Sequence, residues 1–178
     1  LIDGIKLSEL TTLIPQFINN NLEIYFVPEK EHHYVISVDT SRGRHHDYSA
    51  LSIIDISNVP YNVVGIYKDN TISVLEFPHL IYNLAKQYND AFILIETNDL
   101  GESVSNTIWY EYEYDNIYFT NNHKLSDSKG FPGVRTTSSV KSLGCSVLKD
   151  LVEQNQLWLN SHRIIEELGI VVKKGKSY

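Results

Sequence analysis

The chain has 178 residues, of which 42% are hydrophobic and 21% are charged, and its formal net charge is −7. This length suits one domain with its own core, and no apolar run in the sequence is long enough to span a membrane. The net negative charge argues against a protein that grips nucleic acid through bulk positive charge, although it permits a site whose acidic side chains hold a metal.

Residues 1–33 are predicted to form a lead-in to the main domain at 34–178, with a short helix near residues 8–19. The sequence contains no methionine and begins without a signal-peptide pattern, so we expect it to be a fragment of a longer protein. Its single cysteine, Cys145, excludes an internal disulfide framework and a cysteine-rich zinc site. We expect Cys145 to be a small buried side chain on a helix.

Short apolar runs rich in β-branched residues predict strands, and apolar residues at a spacing of three to four predict helices. The predicted strands cover residues 34–39, 50–56, 62–68, 91–96, 116–119 and 157–159. The predicted helices cover residues 74–88, 103–112, 139–154 and 161–168. Residues 121–137 are polar and contain Gly130, Pro132 and Gly133, which is typical of a mobile loop.

Two of the predicted strands are apolar until their last residue, which is acidic. Asp39 ends the first strand, "YVISVD", and Glu96 ends the fourth, "FILIE". The fourth strand follows a helical crossover, so it should run parallel to a strand of the same sheet. If it lies beside the first strand, the two carboxylates are neighbours about 5 Å apart at the carboxyl edge of the sheet.

Two carboxylates this close repel each other unless one is protonated or a cation lies between them. Hard oxygen ligands suit Mg²⁺ or Mn²⁺, and the carboxyl edge of an α/β sheet is where ligands usually bind. The implied strand order is 3-2-1-4-5, with the first three strands antiparallel. This mixed sheet with flanking helices is typical of the ribonuclease H-like fold, whose usual chemistry is two-metal phosphodiester hydrolysis.

Other titratable residues admit two interpretations each. Asp47 could be a third acid near the site or could cap the turn before the second strand. Asp55 is expected to face solvent or to pair locally. The histidine pairs at 32–33 and 45–46 are expected to be solvated loop residues, since adjacent side chains on an extended chain point to opposite faces.

Lys141 lies near the start of the helix predicted at 139–154, with hydroxyl side chains and Arg135 close by in the sequence. A helix N-terminus with hydroxyls and a cation is a plausible phosphate contact, and a plain solvated lysine is as plausible. The aromatic run "IWYEYEYDNIYF" could stack on bases, but packing at the end of a helix explains it better.

Five segments together resemble the C-terminal nuclease domain of the large terminase subunit of T-even-like tailed bacteriophages. They are "LIDGIKL", "VISVDTSRGRHHDYSALSIIDIS", "DNTISVLEFP", "YNDAFILIETNDLGESV" and "VKSLGCSVLKDLVEQNQL". They extend over nearly the whole chain in order. The two acidic motifs are shared by many ribonuclease H-like enzymes, whereas "GCSVLKDL" and "NTIS" are more specific.

The resemblance implies a Mg²⁺- or Mn²⁺-dependent endonuclease that cuts concatemeric double-stranded DNA with little sequence specificity. It also implies two metal ions in the complete site. Asp39 and Glu96 match its metal-binding acids, Asp47 matches an acid after the first motif, and Lys141 matches a basic residue. Implied partners are an ATPase domain before residue 1, the portal and the small terminase subunit, with no membrane, in the host cytoplasm.

One departure concerns the last acidic ligand, which the family supplies after a segment like "KKGKSY", where this chain ends at Tyr178. The fragment could therefore be inactive. Two alternatives are a docking or DNA-handling module without catalysis and another ribonuclease H-like nuclease. A third is an actin-like ATPase, although "DTSRG" offers little glycine for a phosphate loop and no Walker A pattern occurs.

Overall fold

A computed structural model describes residues 2–41, 47–120 and 130–170. Its strands are β1 (Phe17–Asn19), β2 (Leu22–Ile24), β3 (Tyr34–Asp39), β4 (Ser49–Asp55), β5 (Tyr61–Asp69), β6 (Phe92–Ile95), β7 (Phe119–Thr120), β8 (Phe131–Pro132) and β9 (Leu157–Trp158). Its helices are α1 (Gly4–Glu9), α2 (Phe77–Gln87), α3 (Gly101–Asn106), α4 (Ser138–Glu153) and α5 (His162–Ile170). A π-helical turn, Thr107–Glu111, continues α3. No helix among the described residues is long and apolar enough to cross a membrane.

The main sheet has the strand order β1-β2-β5-β4-β3-β6, and β9 pairs with β5. Strands β3, β4 and β5 form an antiparallel meander, and β6 lies parallel to β3. This confirms the predicted arrangement of the first four strands. The predicted fifth strand is reduced to a single parallel bridge between Ile93 and Ile117. The chain then turns away to form the small β7–β8 ladder.

The N-terminal prediction of a helix near residues 8–19 is wrong. The helix α1 ends at Glu9, and β1 and β2 form a hairpin that extends the sheet beside β5. Asn20 and Asn21 form its two-residue turn with φ values of 43° and 69°. Asparagine tolerates this left-handed conformation well, and such turns match the twist of a hairpin.

One hydrophobic cluster lies between the sheet and helices α2 and α3. Apolar residues alternate along β3 and β4, so Ile36 and Ile53 face this cluster and are fully buried. The α2 side chains Ile81 and Leu84 pack against them. The aromatic run contributes to the same cluster through Tyr114 and other side chains, which confirms that it packs in the core.

A second cluster lies on the opposite face and is formed by β5, β9, α1, α4 and α5. Val63 of β5 and Val152 of α4 are among its buried residues. This cluster covers the β5 side of the sheet, whereas Ser37 on the same face of β3 stays exposed. The face beside β3 is therefore partly open near its carboxyl edge.

Helix α4 packs through its C-terminal half only. Leu148 and Leu151 lie against the second cluster, whereas Val147 is 49% exposed. Cys145 is only partly buried, so its prediction as a buried side chain is wrong. The packed C-terminal turns hold the helix while its first turn projects towards the carboxyl edge of the sheet.

Candidate metal and phosphate site

The last residue of β3 and the first residue after β6 are both acidic. Val38 of β3 is the register partner of Ile95 of β6, so Asp39 and Glu96 take the next position on each strand. The backbone amide of Glu96 donates to the carbonyl oxygen of Val38 at 3.0 Å, which extends the parallel pairing to this position. Since side chains alternate across a sheet, both carboxylates project from the same face.

The electrostatics of Asp39 show which groups converge there. Its pKa is raised, first because the surrounding protein desolvates the carboxyl group and second because the carboxylate of Glu96 is nearby. The charge of Asp47 also raises this pKa, whereas the ammonium group of Lys141 lowers it. The charges of Glu96, Asp47 and Lys141, all singled out in the sequence, therefore lie within electrostatic range of Asp39.

The Glu96 side chain is held from one side. Its Oε1 atom accepts a hydrogen bond from Nδ2 of Asn98 at 2.6 Å. The same nitrogen donates to the carbonyl oxygen of Thr136 at 3.1 Å. Sequence reasoning missed Asn98, and the signal available was a polar side chain two residues after the strand-terminal acid.

A tight turn follows Glu96 and leads into α3. The amide of Gly101 donates to the carbonyl oxygen of Asn98 at 3.1 Å. A Cβ atom at Gly101 would lie 1.8 Å from the backbone oxygen of Glu96, which no side chain allows. Glycine at position 101 is therefore what permits this close approach.

The segment predicted as a loop at 121–137 is partly a sheet element. Residues 121–129 lie outside the described residues, but Val134 bridges to Glu96, and its amide donates to the carbonyl oxygen of Ile95 at 2.8 Å. The backbone amide of Thr97 donates in turn to the carbonyl oxygen of Val134 at 2.8 Å. This pairing places the chain just before α4 beside the acidic residue.

Thr137 caps the N-terminus of α4 by accepting from the amide of Val140 at 3.3 Å. Lys141 lies in the first turn and is exposed. Arg135 is also exposed and lines a cleft of about 380 Å³ together with Asn98, Asp99 and Glu102, among others. Arg135 is thus close to the Glu96 turn, whereas Lys141 is close to Asp39.

The donor set fits a hard divalent cation. Two carboxylates lie on one edge of the sheet, and Lys141 only partly offsets their repulsion. Carboxylate oxygens are the ligands that Mg²⁺ and Mn²⁺ prefer. The buried hydroxyl of Thr40, next to Asp39, also has no hydrogen-bond partner among the described residues. No group of three acidic, histidine or cysteine side chains in the described ranges is arranged to hold a metal.

His32 and Asp55 lie away from this site, at the opposite end of β3 from Asp39. His32 pairs with Asp55, with Nδ1 2.6 Å from Oδ2, so the expectation of a solvated His32 is wrong. Asp55 is expected from the sequence to face solvent or to pair locally. It accepts from the nearby backbone amide of Ser57 at 2.9 Å, and its second partner, His32, lies on the segment before β3. His33 is exposed, and the pair at 45–46 lies outside the described residues.

Comparisons with known proteins identify the family of this chain and solved structures with the same fold. A family model described as a terminase RNaseH-like domain matches residues 36–176. The chain is similar in structure to the large terminase nuclease of thermophilic phage G20c with bound zinc, with a TM-score of 0.72, 20% identity, and coverage of 94% of this chain and 86% of that chain. The magnesium-bound form of the same nuclease has a TM-score of 0.71 and 20% identity, with coverage of 92% of this chain and 76% of that chain.

The large terminase nuclease domain of Thermus phage P74-26 is also similar, with a TM-score of 0.66 and 20% identity over 92% of this chain and 74% of that chain. At this level of identity the structural likeness shows the fold. It confirms the predicted ribonuclease H-like arrangement of a mixed sheet with flanking helices.

Proposed function

The chain belongs to the terminase RNaseH-like domain family, and we propose that it is the metal-dependent endonuclease module of a viral DNA-packaging motor. The observation that carries this proposal is the pair of carboxylates, Asp39 and Glu96, that end adjacent parallel strands on one face. The resemblance to the T-even-like group remains a prediction within that family.

Asp39 and Glu96 are proposed to hold a divalent cation, Mg²⁺ or Mn²⁺, with Asp47 as a further candidate ligand. When bound, such a cation supplies Lewis acidity that lowers the pKa of water and offsets negative charge on a phosphodiester. Two ions are proposed for the complete site. The fold contributes rigidity, because a ligand at a strand tip is held more firmly than one on a loop.

Lys141 and Arg135 are proposed to contact DNA phosphates on either side of the acidic pair. Both are exposed, and Lys141 lies close enough to Asp39 to affect its pKa. Contacts to phosphates position a duplex without reading its sequence, so little sequence specificity is expected. The substrate proposed is concatemeric double-stranded DNA.

The proposed setting is the host cytoplasm, in a motor with an ATPase domain, the portal and the small terminase subunit. A net charge of −7 predicts weak DNA affinity for the isolated module, so other parts of the motor would hold the duplex. Because the family assignment concerns terminases, it favours this function over the actin-like ATPase. A docking or DNA-handling module without catalysis remains the alternative to be tested.

The test is nicking of a supercoiled plasmid with Mg²⁺ or Mn²⁺ by the chain and by a version extended beyond residue 178. Each is compared with its Asp39→Ala and Glu96→Gln variants. The matched control is Asp115→Asn, which removes an exposed carboxylate near the opposite end of β6. We expect nicking that both acid variants abolish and the control retains.

If only the extended version cuts, a further acid outside this chain is required and the nuclease proposal stands. If neither folded version cuts with either metal, the proposal fails and the docking function replaces it.

A further inference from the structure

Asn98 connects the acidic pair to the chain segment that leads into α4. Its Nδ2 atom donates to Oε1 of Glu96 at 2.6 Å and to the carbonyl oxygen of Thr136 at 3.1 Å. Both partners are acceptors only, so the amide must present its NH₂ group to them. The orientation of this side chain is therefore determined by its chemistry.

The backbone that carries Asn98 is fixed on both sides. The amide of Thr97 pairs with Val134, and the amide of Gly101 closes the turn on the carbonyl oxygen of Asn98. The backbone of Gly101 also lies so close to that of Glu96 that an added Cβ atom would be 1.8 Å from the Glu96 carbonyl oxygen. Asn98 is also partly shielded from solvent. Its amide is thus preorganised before any cation binds.

We propose that Asn98 is a positioning residue for cation binding by Glu96, an inference that rests on the proposed function. The bond to Oε1 fixes the rotation of the carboxylate and so sets the direction in which Oε2 is presented to a cation. Carboxylates that bind metals are commonly held by such hydrogen bonds, whose removal costs about 10–100-fold in metal affinity.

The second bond of Asn98 gives this arrangement a further consequence. Thr136 directly precedes Thr137, the residue that caps α4, and Lys141 lies in the first turn of that helix. The side-chain amide of Asn98 thereby links the orientation of the Glu96 carboxylate to the backbone that leads to Lys141. The link is between a side chain and a carbonyl oxygen, so substitution of Thr136 would leave it intact.

The test measures the Kd of Mn²⁺ by titration calorimetry and by loss of the free Mn²⁺ electron paramagnetic resonance signal. We expect the Asn98→Ala variant to bind Mn²⁺ about 10–100-fold more weakly than the unsubstituted chain. The control is Asn116→Ala. This variant loses a hydrogen bond from the side-chain amide of Asn116 to the carbonyl oxygen of Asp90, 2.7 Å away, at the opposite end of β6 from the site. Its Mn²⁺ affinity should be unchanged.

Glu96→Gln separates this inference from the proposed function. If the unsubstituted chain binds Mn²⁺, Glu96→Gln loses it and Asn98→Ala retains full affinity, the positioning role is wrong and the metal site stands. If neither the unsubstituted chain nor the version extended beyond residue 178 binds Mn²⁺, the proposed function fails and the inference fails with it. Should Asn98→Ala not fold, Asn98→Gln keeps the amide but displaces it by one methylene, and unchanged Mn²⁺ affinity there would overturn the inference.

Discussion

The carboxyl group of Asp39 has a raised pKa because protein surrounds part of it and because the carboxylate of Glu96 lies on the adjacent parallel strand. A raised pKa means that the charged form of Asp39 is less favourable in the folded state than in the unfolded chain. At neutral pH the pair therefore opposes folding unless a cation is present.

Neutralising one acid should stabilise the cation-free protein. We expect Asp39→Asn to raise the melting temperature at pH 7 in the presence of a chelator, by a few degrees at most, because water still reaches Asp39 and screens the repulsion. Added Mn²⁺ should stabilise the unsubstituted chain, by about 2.7 kcal/mol at 100 times its Kd, and should not stabilise the variant. Differential scanning fluorimetry measures both effects. A lower melting temperature for Asp39→Asn without metal would contradict the repulsion.

Gly101 should tolerate no side chain. A Cβ atom there would meet the backbone oxygen of Glu96 at 1.8 Å, and backbone cannot move aside as a flexible side chain can. We expect Gly101→Ala to lower the free energy of unfolding by about 1–3 kcal/mol, as overpacking of a core does. Urea denaturation measures it. The matched control is Gly144→Ala in α4, where nothing lies within 4 Å of the added atom. That variant should gain up to about 1 kcal/mol from helix propensity.

The ion pair of His32 with Asp55 should make stability depend on pH. Its hydrogen bond to Asp55 raises the pKa of His32 above 6.5, so this contribution is complete below pH 6.5 and is lost as the pH rises through the raised value. The pKa of Asp55 is lowered below 3.8, where desolvation is outweighed by hydrogen bonds from His32 and Ser57. Its contribution is present above pH 3.8 and is lost as the pH falls through the lowered value. The pair is therefore strongest between these limits.

Urea denaturation between pH 5.5 and pH 8.5, a range of about three units around the ordinary histidine pKa, tests this dependence. We expect the unsubstituted chain to lose more stability with rising pH than His32→Gln does. His33→Gln, which changes an exposed neighbour, should behave like the unsubstituted chain. Identical pH profiles for all three proteins would show that the pair contributes nothing.

Lys141 should contribute to DNA binding through charge. We expect Lys141→Ala to weaken binding of a short duplex about equally for different sequences and to reduce the slope of log K against log salt by about one. Fluorescence anisotropy with a chelator present measures binding without cleavage. Lys149→Ala is the control, since Lys149 lies on the same helix but pairs with Glu153 at 2.6 Å. If the two variants have equal slopes of log K against log salt, Lys141 does not contact the DNA.

Much of the central sheet could be predicted because its signals are local. The apolar run before Asp39 marks β3 with the correct ends, and the same pattern before Glu96 marks β6. The crossover between them dictates a parallel pairing, which brings the acids together. The positions of Asp39 and Glu96 at two strand ends, and of Lys141 near a helix start, could therefore be predicted from the sequence.

The remainder depends on contacts that the sequence does not display. The segment containing Val134 looks like a loop because it is polar and rich in glycine, but it pairs with the edge that β6 leaves open. Asn98 became a candidate only when its distance to Glu96 was known. The hairpin β1–β2 was missed because its strands are three residues each, too short for a pattern of alternation.

The α2 crossover has a consequence for the order in which the protein is made. A chain emerging from the ribosome presents β3 well before β6, because β4, β5 and α2 lie between these two paired strands in the sequence. A partly synthesised chain thus carries Asp39 without Glu96. A metal site that needs both acids can therefore form only after β6 has been added to the sheet.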